Sequence, residues 1–97
     1  MQYVTIQNDT AILAVNGIFK FTCCKTVDAE LKTAFQNGCT KVKVDFSNTK
    51  FIDSASVRQL CDIQRRVHAE NFSVINVGTK VLTILRSEKL DSWIRRN

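Results

Sequence analysis

The chain has 97 residues, too few for two cores and enough for one, so a single domain over residues 1–97 is expected. Its apolar and charged fractions, 44% and 24%, are those of a chain that folds and exclude a disordered one. The net charge of +5 raises nucleic acid as a partner, but the cations are dispersed and no aromatic residues interleave with them, so none is expected.

Tyr3 to Gln7 alternates as a strand, Asn8-Asp9-Thr10 makes a turn, and Ala11-Ile12-Leu13-Ala14-Val15 is an apolar run suited to a central strand. The two form an opening hairpin closed by Asn16-Gly17. The following loop carries Phe19 and Phe21, which either pack under the first helix or form part of a contact surface. Thr22 or Thr26 is placed to cap that helix, in which Cys24, Val27, Leu31, Ala34 and Phe35 recur at helical spacing. Asn37-Gly38 ends it, with glycine supplying a left-handed cap.

Lys41-Val42-Lys43-Val44-Asp45-Phe46 alternates as a half-buried strand, and Ser47-Asn48-Thr49-Lys50 reads as a turn. After the apolar pair Phe51-Ile52, Asp53 and Ser54 are both good N-caps, so a second helix begins at one of them. Val57, Leu60, Cys61, Ile63 and Val67 make its core stripe, with Arg58, Asp62, Arg65, Arg66 and Glu70 mostly opposite. Asn71 breaks this helix, and Phe72 to Val77 is the next strand. Gly78-Thr79 starts a short third helix with Val81, Leu82 and Leu85 inward, and Trp93-Ile94 ends the chain as an edge strand or a stub of one.

This order predicts an α/β fold, a mixed central sheet of about 4–5 strands with an N-terminal hairpin, packed with about 3 helices. The polar hinge between the Lys41 strand and the second helix lies at the strand's C-terminal end, where α/β sheets place functional loops. A phosphate on a serine there is favoured by the unpaired amides and the dipole of the helix.

Asp45-Phe46-Ser47 and Phe51-Ile52-Asp53-Ser54-Ala55-Ser56-Val57 resemble the signature of STAS domains, the anti-sigma factor antagonists and their relatives. The resemblance extends to Gly17, where the family has a glycine after its second strand, and to the apolar positions Val81, Ile84, Leu85, Leu90, Trp93 and Ile94. It implies a regulatory, bacterial, protein-binding domain in which Ser54 is phosphorylated by a partner kinase. The implied partner is an anti-sigma factor of the serine-kinase type, released when Ser54 is modified. The implied contact surface is the hinge Asp53, Ser54, Ala55, Ser56 and Val57, the helix face around Arg58 and Asp62, and the loop with Gly17, Lys20 and Phe21. Ser56 and Val57 stand where the family has glycine and leucine, and Lys20 where many antagonists have an acidic residue. STAS-like domains also serve as non-switching subunits of transporters, including a partner of a lipid-transport ATPase, or as signalling scaffolds, and that is the alternative reading. A homodimer is left open.

No enzyme is expected. His68 lies about 20 Å along the helix from Ser54 at 1.5 Å per residue, too far to act as its base. The three glycines Gly17, Gly38 and Gly78 make no phosphate loop, and Cys23, Cys24, Cys39, Cys61 and His68 have no zinc-ligand spacing, so neither cofactor nor metal is expected. The cysteines read as structural thiols of a cytoplasmic protein. No apolar run reaches the ~20 residues of a membrane span, and Met1-Gln2-Tyr3 lacks the features of a signal peptide, so no membrane insertion is expected.

Overall fold

A computed structural model describes residues 2–94. The opening hairpin is present: β1 (Val4–Gln7) pairs antiparallel with β2 (Thr10–Ala14) through a turn with Asn8 at φ 58°. The carboxylate of Glu30, on the first helix, accepts from the amides of Tyr3 and Val4, both at 2.8 Å. It thereby plugs the start of an edge strand whose open groups would otherwise invite pairing.

β2 leads into β3 (Gly17–Phe19) and α1 (Phe21–Gln36), and β4 (Lys41–Asp45) leads into β5 (Thr49–Ile52) and α2 (Ser54–Val67). After a 3-10 turn at Ala69–Asn71 come β6 (Phe72–Ile75), α3 (Thr79–Ser87) and a second 3-10 turn at Asp91–Trp93. β1, β2, β4 and β6 form a mixed sheet in that order, with β2, β4 and β6 parallel. The expected α/β class, mixed sheet, hairpin and three helices are therefore present. Arg95 and Arg96, two of the cations in the sequence, lie outside the described residues.

Ala11, Leu13, Val42, Val44, Phe72 and Val74 point to the helices and are buried. The pleat sends their neighbours the other way. Thr5, Ile12, Lys43 and Ser73 pair in register as one row across that second face, which no helix covers completely.

Three details differ from the sequence reading. Lys50 and Thr49 are not turn residues: β5 includes them and pairs in parallel with β3, a two-stranded sheet with no counterpart in the reading. A run of four residues with two buried ends carries too little periodicity to declare itself. α1 starts at Phe21, ahead of Thr22 and Thr26. α2 stops at Val67 because His68 adopts φ 75°, so His68 is not within the helix, and the Asn71 side chain bonds back to the Val67 carbonyl at 2.9 Å. At Trp93-Ile94 the stub of a strand forms: Trp93 closes a 3-10 turn and packs edge-on against Phe72, and Ile94 makes one parallel bridge to Val74.

Gly17 opens β3 at φ +82°, a conformation that side chains avoid, and donates its amide to the Asn48 carbonyl at 2.8 Å. The small sheet so anchored sits beyond the ends of β2 and β4, with α3 packed against β5. Each of its strands runs directly into the N-terminus of a helix. No helix among the described residues is long and apolar enough to cross a membrane.

Candidate functional site

The paired strands β3 and β5 deliver the starts of α1 and α2 side by side, and Asp53 joins them. Its Oδ1 accepts from the Ser56 amide and its Oδ2 from the Phe21 amide, each at 2.9 Å. One carboxylate thus caps two helices, each of which begins with unpaired amides. The Asp53 amide in turn donates to the Phe19 carbonyl at 3.1 Å, and the Ser56 hydroxyl donates to the same oxygen at 2.8 Å. Burial pushes the Asp53 carboxyl up, but the amides of Ser56 and Phe21 outweigh it and hold it below the usual carboxylate range.

Ser54 and Ser56 are consequently opposite in kind. Ser54 is the first residue of α2 and its side chain is exposed, whereas Ser56 is 0% exposed. Ser56 and Val57 face inward, so the accessible part of the hinge is Asp53, Ser54 and half-buried Ala55. A serine at position 56 fits because the Phe19 carbonyl gives its hydroxyl a buried partner.

From the hinge, α1 and α2 run alongside each other in the same direction. Gln59 donates from Nε2 to the Cys24 carbonyl at 2.8 Å and to Asp28 Oδ1 at 3.0 Å, and further along the Arg66 guanidinium lies over the Phe35 ring at 4.6 Å. Between the helices lies a groove of about 560 Å³, with apolar walls from Leu31, Phe35 and Ile63, and with Phe21 and Ser54 beside the hinge. Cys24 also lines it, and burial pushes that thiol up, which favours its protonated form.

Phe21, Ser54, Ala55, Arg58 and Asp62 all line this groove, so half of the residues singled out from the sequence come together there. Lys20 is exposed at the N-cap position of α1, beside the hinge, while Gly17 sits at the far end of β3. The two phenylalanines of the loop divide: Phe19 is 1% exposed and Phe21 73%.

Ile18 and Phe51 were not singled out, yet they pair across the small sheet and both are exposed, forming an apolar step next to the hinge. Only the pairing of β3 with β5 brings them together. Among the described residues no group of His, Cys, Asp or Glu could hold a metal ion, and the four cysteines are free thiols.

The family described as "Mlab, STAS domain" matches residues 3–95. No curated protein sequence matches the chain. Among solved structures it is similar to the anti-sigma factor antagonist SpoIIAA in its unphosphorylated form, at 19% identity and TM-score 0.79, covering 95% of this chain and 84% of that one. The phosphorylated form of the Bacillus protein gives 19% identity and TM-score 0.73, covering 95% and 86%. A sulfate transporter family protein from Wolinella succinogenes gives 12% identity and TM-score 0.74, covering 93% and 79%. At these identities the structures speak to the fold, and the family match carries the assignment: the chain belongs to the STAS domain family.

Proposed function

We propose that this chain is a regulatory protein-binding domain, not an enzyme, that acts as an anti-sigma factor antagonist. Unmodified, it binds an anti-sigma factor of the serine-kinase type, and phosphorylation of Ser54 by that kinase ends the contact. The observation that carries this reading is the division of labour at the hinge. Asp53 and Ser56 are committed to holding the two helix starts, while the Ser54 side chain projects to solvent at the positive end of a 14-residue helix.

A dianionic group on Ser54 is favoured by that helix end and opposed by the adjacent Asp53. Arg58, four residues on and exposed, lies on the same helix face and can fold onto the phosphate. The modification then adds charge and removes a cation from the surface without disturbing the core. The contact surface in this reading is Asp53, Ser54, Ala55, Arg58 and Asp62 with Lys20, Phe21 and the apolar pair Ile18 and Phe51. Ser56 and Val57 support it from below, and Gly17 positions β3.

A second reading, a non-switching subunit of a transporter complex such as a lipid-transport ATPase, draws on the matching family's description, which is not that of an antagonist, and on the sulfate transporter relative. Intact-mass analysis of protein purified from its own cells, with Ser54→Ala as control, separates the two. Phosphate that maps to Ser54 and vanishes in the variant supports the switch. Protein that stays unmodified under every growth condition and co-purifies with a transport ATPase overturns the switch in favour of the subunit.

A further inference from the structure

We infer that the groove between α1 and α2 receives an amphipathic helix of a partner protein, and that the flank of this helix is acidic. The inference rests on the protein-binding reading above, concerns the unmodified protein, and does not require that Ser54 is ever phosphorylated.

The shape of the groove selects a helix. It is bounded by two helices running the same way, and α2 alone, with 14 residues, is about 21 Å long at 1.5 Å per residue. That length matches three to four turns of a docked helix. The groove offers exposed Phe21 and half-buried Cys24, Phe35 and Ala55 to an apolar stripe, above a floor of buried Leu31 and Ile63, and among the described residues its lining comes from helices alone, with no strand to which an extended peptide could add.

The charges around the groove select the flank. Its lining carries three cations, Lys32, Arg58 and Arg66, and two carboxylates, Asp28 and Asp62. Asp62 is paired with Arg65, so Asp28, which accepts from the neutral amide of Gln59 and keeps its charge, is the one carboxylate set against the three cations. Arg66 is held over Phe35, and neither Lys32 nor Arg58 has an ion-pair partner among the described residues. The field left over the apolar walls is positive, which suits carboxylates and rejects a basic flank.

A further observation points to an occupant. The amide oxygen of Gln59 is buried among the lining residues and accepts no hydrogen bond, although Gln59 itself is 8% exposed and its nitrogen is fully used. Such an orphaned acceptor in an otherwise satisfied core calls for a donor. A turn of the Gln59 side chain toward the groove would bring that oxygen within reach of a hydroxyl or amide side chain on the docked helix.

The test uses recombinant, unmodified protein and two synthetic peptides with the same apolar stripe at helical spacing, one flanked by glutamates and the other by lysines. Nuclear magnetic resonance of the labelled chain is expected to show the glutamate peptide shifting amides in residues 28–35 and 54–66, with an affinity that falls as salt is added. It should bind at least about tenfold more tightly than the lysine peptide. The double variant Lys32→Glu, Arg58→Glu should reverse that order. Equal binding of both peptides, shifts that map to β1 or the uncovered sheet face, or no binding of either overturns the inference, as does concentration-dependent pairing of the chain with itself across the groove. Phosphate missing from Ser54 in cells with the peptides still discriminated removes the switch and leaves this groove assignment standing. Phosphate present with no discrimination does the reverse.

Discussion

Asp53 accepts a hydrogen bond at 2.9 Å from the backbone amide of Phe21, a residue 32 positions earlier, while its other oxygen caps its own helix through Ser56. The two helix starts therefore form one unit. Asp53→Ala removes both caps and should destabilise the fold by about 1–4 kcal/mol, given roughly 0.5–2 per lost cap. Asp53→Asn keeps one accepting oxygen and should cost less than the alanine. Urea denaturation measures both, and an Asp53→Ala midpoint equal to the parent's would show that the double cap contributes nothing.

Acid should act through the same carboxylate. The hydrogen bonds to Asp53, and those from Asn76 and Ser47 to Asp45, overcome the upward push of burial and hold both groups below their ordinary range. A depressed carboxyl contributes stability that is present above its unfolded value, about 3.9 for aspartate, and is lost as pH falls through the folded value. Stability measured by thermal melts should therefore decline below about pH 4, and Asp53→Asn should flatten that decline. A variant with the parent's full acid sensitivity would assign the effect to other groups.

Ser56→Ala removes the hydroxyl that donates to the Phe19 carbonyl at 2.8 Å in the core. The loss is expected at about 0.5–1.5 kcal/mol, because the carbonyl keeps the Asp53 amide as a partner. Ser56→Gly, the residue the family signature carries here, should cost about 1 kcal/mol more through helix propensity. Ser56→Asp places a charge in a fully buried site and should leave little folded protein at room temperature, visible by circular dichroism.

Ser54→Asp should behave in the opposite way. Its side chain is exposed at the start of α2, so the melting temperature should stay level or rise slightly, with about 0.3–1 kcal/mol available from the helix dipole. A large loss of stability from Ser54→Asp would contradict the placement of Ser54 outside the core.

Phe21→Ser changes a side chain that is 73% exposed and should leave stability within about 0.5 kcal/mol of the parent. Partner binding should nevertheless weaken, because Phe21 lines the groove beside the hinge. Calorimetry alongside a denaturation curve distinguishes a contact residue from a packing one.

Local signals in the sequence were enough for the main elements. Period-two alternation marked β1 and β4, a continuous apolar run marked β2, period-3.6 stripes marked α1, α2 and α3, and the Asp-Ser pair after Phe51-Ile52 marked the start of α2, because each pattern reflects contacts within a few residues of itself. The resemblance at the hinge likewise needed only contiguous residues. What the tertiary structure decided depends on partners far apart in the chain. The start of α1 is capped by an aspartate from another element, so Lys20-Phe21 shows no capping residue and the helix was read too late. β3 and β5 exist only by pairing with each other, and they alone set Ile18 beside Phe51. The separation of Ser54 from Ser56, two hydroxyls either side of Ala55, was settled by a single carbonyl on β3 that draws one inward and leaves the other in water.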